Sequence, residues 1–129
     1  MSYLKIKNVS KVYKEEKNYY QALKEINIEF NKGEFVAILG PSGCGKSTLL
    51  NLIMGISETT KGNIYVDGKN IGEFKNKRMD RYRKKEIGVI FQKYNLINLL
   101  TSYENIDLVK EKNITTLYNF KHKFIKRAF

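Results

Sequence analysis

"AILGPSGCGKSTLLNLIMG", Ala37 to Gly55, decides how this chain is read. Its centre, Gly40-Pro41-Ser42-Gly43-Cys44-Gly45-Lys46-Ser47, fits the pattern G-x-x-x-x-G-K-[ST] at every position. These residue types serve one chemistry, the holding of a polyphosphate. Successive backbone N–H groups must converge on the anion, and glycine lets the chain take the dihedrals this needs. Nothing bulky can stand between amide and phosphate, which again selects glycine. Lys46 supplies a mobile cation to the outer phosphates, and Ser47 offers a hydroxyl to Mg²⁺. A helix that begins there aims its positive end at the same anion. Cys44 fills a variable position and reads as a small spacer, because a single thiol has no resolving partner.

The flanks supply the context the pattern requires. Phe35 to Leu39 is a continuous apolar run, as expected of a strand covered on both faces in a parallel sheet. After the loop, Leu49, Leu50, Ile53 and Met54 recur at helical spacing over residues 46–54, and Gly55 stops the helix at C′. Upstream, Leu4 and Ile6 alternate with lysines, and Ile26, Ile28 and Phe30 alternate with polar residues, so two half-buried strands are predicted. Asn31-Lys32-Gly33 turns the chain. Downstream, "GNIYVDGKNI" reads as a hairpin around Asp67-Gly68. Residues 75–85 read as an exposed basic helix. Ile87 to Phe91 reads as a second buried strand ending at Gln92. Thr101 and Glu104 form a capping box that starts a helix near Ser102. The fold class is α/β with an antiparallel β flank.

Composition bounds the rest. The chain has 129 residues, one domain's worth, and 42% of them are hydrophobic. No apolar run approaches the ~20 residues of a membrane span. The opening "MSYLKIKN" has no apolar core, so no signal peptide is expected there. The single cysteine excludes an internal disulfide, and a reducing cytosol is the expected compartment. The net charge of +11 is clumped in Lys75–Lys85 and Lys110–Phe129. Such segments suit solvated faces first and polyanions second. Nucleic-acid binding is not favoured, since no aromatic ladder or known nucleic-acid motif accompanies the charge.

Together these residues are similar to the ATP-binding subunit of ABC transporters. "GPSGCGKSTLLNLI" resembles that family's Walker A helix, "SKVYK" its aromatic A-loop, and "GNIYVDGKNI" its following hairpin. "IGVIFQKYNLINLLTSYENI" resembles its Q-loop segment and the helix after it. "RYRKKEIGVIFQKYNLI" resembles most the branch for lipoprotein release and for macrolide or antimicrobial-peptide export. The resemblance covers residues 1–108, and the basic tail 109–129 diverges. It implies an ABC ATPase core of the P-loop NTPase class, incomplete here. It also implies ATP and Mg²⁺ as cofactors. Tyr13 would stack on adenine; Gly40, Pro41, Ser42, Gly43, Cys44, Gly45, Lys46, Ser47 and Thr48 would hold the phosphates. Ser47 and Gln92 would serve Mg²⁺, and Gln92 the attacking water. The implied partners are transporter membrane subunits and a second ATP-binding subunit in an ATP-sandwich dimer. The implied place is cytoplasmic, on the inner face of the cell membrane.

The resemblance also shows what these residues do not carry. No L-S-G-G-Q-like signature occurs, no apolar run leads into an Asp-Glu pair, and the sole histidine, His122, sits in the basic tail. The Walker B acids help hold Mg²⁺ and polarise water, and losing such groups typically costs 10²–10⁴-fold in rate. The expectation is a truncated subunit that binds nucleotide with little or no hydrolysis. The alternative is a non-catalytic regulatory fragment or the product of a broken gene. In the tail, Leu117, Phe120, Phe124 and Ala128 share one helical face. That pattern suits either an amphipathic helix on an anionic membrane or unrelated sequence.

Overall fold

A computed structural model describes residues 2–90 and 96–110. Phe91, Gln92 and the tail from residue 111 lie outside the described residues. So do the sequence readings that fall on them: the Q-loop glutamine, His122 and the amphipathic tail. The chain divides into two compact units, Met1–Met79 and Asp80–Phe129.

The first unit is built on an antiparallel sheet. Strands β1 (Ser2–Glu15), β2 (Asn18–Asn31), β3 (Lys61–Val66) and β4 (Lys69–Asn70) lie in the order β2-β1-β3-β4. Both predicted upstream strands form, and each is longer than its alternation suggested. β1 is central, and its Ile6 and Val9 are fully buried. Across the ladder, Lys5 faces Glu29 and pairs with it. That pairing holds the exposed Glu29 carboxyl below its ordinary value. The Asn31–Gly33 turn forms as expected, closed by Glu34, whose carboxylate accepts from the Asn31 N–H at 2.8 Å.

The long strands are not regular. The β1–β2 register shifts near Asn8 and Ser10, where Asn8 and Glu25 take left-handed backbone at φ 50° and 49°. Side chains then replace the missing ladder bonds. The Asn8 N–H donates to Asn27 Oδ1 at 2.8 Å, and the Glu25 N–H donates to buried Ser10 Oγ at 3.0 Å. Opposite the same irregularity β3 carries Gly62 at φ +79°, where any Cβ would overlap the Asn8 and Lys7 carbonyls.

The helix α1 (Lys46–Ile53) follows the loop and buries Leu49 and Leu52. The predicted apolar face is corrected in one respect: Leu50 is 47% exposed, and Leu52 takes its place in the core. The stop at Gly55 holds. Gly55, at φ +65°, donates to Leu52 O at 3.1 Å, and the Ile56 N–H donates to Asn51 O at 3.0 Å. These two bonds are the Schellman closure. The chain then returns to β1, where Thr60 Oγ1 accepts from the Val12 N–H at 3.0 Å and the Thr60 N–H reaches Ser10 O at 2.9 Å. The hairpin turns at Asp67 and Gly68, both with positive φ, as a type I′ turn demands. A 3₁₀ turn (Ile71–Glu73) adds Ile71 to the core.

The basic helix forms as α2 (Asn76–Glu86), with Arg83 donating to Asp80 at 2.6 Å. The last described helix, α3 (Ser102–Lys110), has its capping box in place. The Thr101 N–H donates to Glu104 Oε2 at 2.8 Å, and the Glu104 N–H donates back to Thr101 Oγ1 at 3.3 Å.

Neither of the two predicted buried strands is formed among the described residues, which leave out Phe91 at the end of the second. Residues 34–40 and 87–90 have no regular structure, and Phe35 and Leu39 are 78% and 90% exposed. A strand exists only through a neighbour's hydrogen bonds. Among the described residues, every strand pairing is antiparallel and none includes these segments.

Two outcomes test this account. Gly62→Ala should cost roughly 2 kcal/mol or more, since it combines a left-handed residue with backbone overlap. Urea unfolding measures this, and a loss under about 0.5 kcal/mol would contradict the packing. Glu104 should titrate below an ordinary glutamate, because the Thr101 N–H first, and the Thr101 hydroxyl second, stabilise its carboxylate. A lowered folded value means that the cap's contribution is present above the ordinary carboxylate range and fades as pH falls through it. Thr101→Ala should return the titration only partway, as read by NMR; a full return would reverse the order of the two causes.

Candidate functional site

The sequence-predicted loop and its neighbours meet within the first unit. Residues 34–41 approach without regular structure, Ser42 and Gly43 turn, and α1 starts at Lys46. Gly43 and Gly45 have φ of +79° and +95°, values that side chains resist. Gly45 is also the helix N-cap, and its carbonyl accepts the Leu49 N–H at 2.9 Å. A Cβ there would stand 2.6 Å from Ala22 O and 2.8 Å from Leu23 Cδ2. β2 therefore backs the loop directly. At Gly40 a Cβ would meet Cys44 Sγ at 2.6 Å, so the spacer cysteine closes the loop's base.

Lys46 turns inward. Its ammonium donates to Gly40 O at 2.8 Å and Pro41 O at 2.6 Å, and lies 3.5 Å from Cys44 Sγ. The Cys44 N–H points the same way, to Pro41 O at 3.4 Å. No acidic residue stands in the first turn of α1, and no side chain caps it. The arrangement thus gathers a cation and a helix N-terminus without a competing anion. Such a site can hold a phosphate chain. Ser47 is exposed and Thr48 half-buried in the first turn. Among the described residues, no group of three or more His, Cys, Asp or Glu side chains gathers as a metal site.

Tyr13 is placed by the ladder. It lies opposite Tyr20 on β2, with the Lys11 ammonium 5.0 Å from its ring centre. Tyr20 in turn reaches the loop: its hydroxyl donates to Gly43 O at 3.1 Å. Sequence reading did not single out Tyr20. No local signal could, since 23 residues separate it from Gly43. Gln92 lies outside the described residues.

Comparison with known proteins adds an independent line. The ABC transporter family matches residues 23–128. An uncharacterised ABC transporter ATP-binding protein, MJ0796 of Methanocaldococcus jannaschii, is 43% identical over 105 residues, covering 81% of this chain and 45% of that protein. The bacitracin export ATP-binding protein BceA of Halalkalibacterium halodurans is 43% identical over 106 residues, 82% of this chain and 42% of its own. The MJ0796 cassette, solved as a dimer in a post-hydrolysis state bound to ADP and Pi, superposes with a TM-score of 0.77 at 41% identity. That match covers 86% of this chain and 48% of the cassette. The chain spans less than half the length of each of these proteins. The likeness carries the P-loop fold class expected from the sequence, here as part of a domain.

Proposed function

This chain belongs to the ABC transporter family, and from that membership and the loop's geometry we propose that it is the nucleotide-holding part of a transporter's ATP-binding subunit. The observation that carries the reading is the glycine loop at the start of α1 with the Lys46 ammonium drawn to its inner carbonyls. The ligand is Mg-ATP. Mg²⁺, when bound, neutralises charge on the outer phosphate oxygens.

The chain's own residues divide the binding. Loop N–H groups and the α1 N-terminus meet the phosphates, and Lys46 exchanges its carbonyl partners for phosphate oxygens. Ser47 offers its hydroxyl to the metal. Tyr13 stacks on the base. Gly43 and Gly45 keep the backbone in the shape the amides need. Gln92 is the water- and metal-facing residue of the sequence reading. Holding nucleotide is what these residues are equipped for; turnover needs water-positioning groups besides the loop. The chain should therefore bind ATP. Its partners are membrane subunits of an exporter-type system and a second ATP-binding subunit, which places it on the cytoplasmic face of the membrane. No helix among the described residues is long and apolar enough to cross a membrane itself.

Calorimetric titration with Mg-ATP and with tripolyphosphate tests the division. Lys46→Ala should weaken both about 10- to 100-fold, the scale of a charge-assisted contact. Tyr13→Ala should weaken ATP about tenfold and leave tripolyphosphate alone. Unchanged ATP affinity in Lys46→Ala would end the site reading.

A further inference from the structure

The Tyr20 contact has a consequence for the loop that rests on the nucleotide-binding reading above. Where the loop turns a carbonyl outward, either water or a neighbouring side chain can donate to it, and only the side chain holds it in place. Gly43 is where this matters most. Its φ of +79° is one that a glycine leaves as readily as it takes, because it has no Cβ to favour either region. Its peptide unit is planar, so fixing the Gly43 carbonyl also fixes the Cys44 N–H on the other side. In the structure that carbonyl accepts from Tyr20 Oη at 3.1 Å, while the Cys44 N–H points into the loop toward Pro41 O.

Tyr20 is well suited to this task and poorly explained by any other. It is 57% exposed and is not among the buried core residues. It stands on β2 two residues before Ala22, whose carbonyl abuts Gly45. The loop is thus held at two points by one strand, by contact at Gly45 and by a hydrogen bond at Gly43. The same ladder places Tyr13 directly across from Tyr20. One hairpin therefore sets both the residue proposed for the base and the brace on the phosphate loop.

We propose that Tyr20 is a positioning residue, whose hydroxyl latches the Gly43–Cys44 peptide in the phosphate-receiving orientation and thereby raises affinity for the polyphosphate. It touches no ligand itself. Its effect falls on the phosphates and not on the base.

Tyr20→Phe removes the hydroxyl and keeps the ring. The full chain is compared with this variant by three readouts. Melting temperature without ligand should be unchanged. Amide exchange over residues 41–46 without ligand should be faster in the variant. Dissociation constants for Mg-ATP and tripolyphosphate should rise together by about fivefold, the scale of one neutral hydrogen bond. A purely structural tyrosine would lower the melting temperature and affect both ligands only through unfolding. Unchanged exchange, or faster exchange with unchanged affinity, overturns the latch. A loss confined to ATP with tripolyphosphate unaffected also overturns it, because Tyr20 would then act on the base. If the wild-type chain binds neither probe, the nucleotide reading falls and the latch falls with it, whereas wild-type binding with an unaffected variant overturns the latch alone.

Discussion

Gly45 has room for no side chain, and the arrangement around the loop follows from that. With φ at +95° it turns the chain from loop into helix, and its missing Cβ lets the backbone lie against Ala22 and Leu23. A helix N-terminus is useful to an anion only if it is held still. Here it is held by the strand that also forms the outer side of the sheet. Leu49 and Leu52 anchor the next turn in the core, and the Schellman closure at Gly55 ends the helix after eight residues. Fully burying side chains of this kind contributes about 1.5–3 kcal/mol each. That is enough to offset the entropy lost in ordering two glycines in the loop.

The sheet accepts irregularity in order to hold this arrangement. β1 is paired on both edges, so every interruption of its ladder exposes backbone groups that must find partners. Ser10, Asn27 and Thr60 supply them with side-chain oxygens. Thr60 does this at the point where the chain leaving α1 rejoins β1, which ties the end of the helix to the central strand. Bulges of this sort increase twist and re-aim side chains.

Parts of the structure were legible in the residues, and for identifiable reasons. The helix ends, the Asp67-Gly68 turn and the Thr101–Glu104 capping box are local, and each depends on residues within about one turn of chain. The loop motif is local in the same sense. The apolar runs 35–39 and 87–91 were legible as segments that want burial on both faces. Their strand state was not, because it is a property of a pair and not of a segment. The four described strands offer them no parallel neighbour, and Phe35 and Leu39 stay exposed. Leu50 and Leu52 show the same limit on a smaller scale. Helical spacing marks an apolar arc, and packing against the sheet selects which side of the arc is covered.

The sequence by itself determined the chemistry of the loop and the family, because G-x-x-x-x-G-K-[ST] constrains backbone freedom, charge and hydroxyl within eight consecutive positions. It also determined where α1, α2 and α3 start. Only the tertiary structure decided that β2 backs the loop, and that Tyr20 reaches Gly43 while Tyr13 stands across from it. The reason is register. β1 and β2 shift against each other at several points along their length, and each shift changes which side chains share a face. Alternation counted along either strand alone could not carry across those shifts, so the side of the sheet on which residue 20 would emerge was settled by pairing.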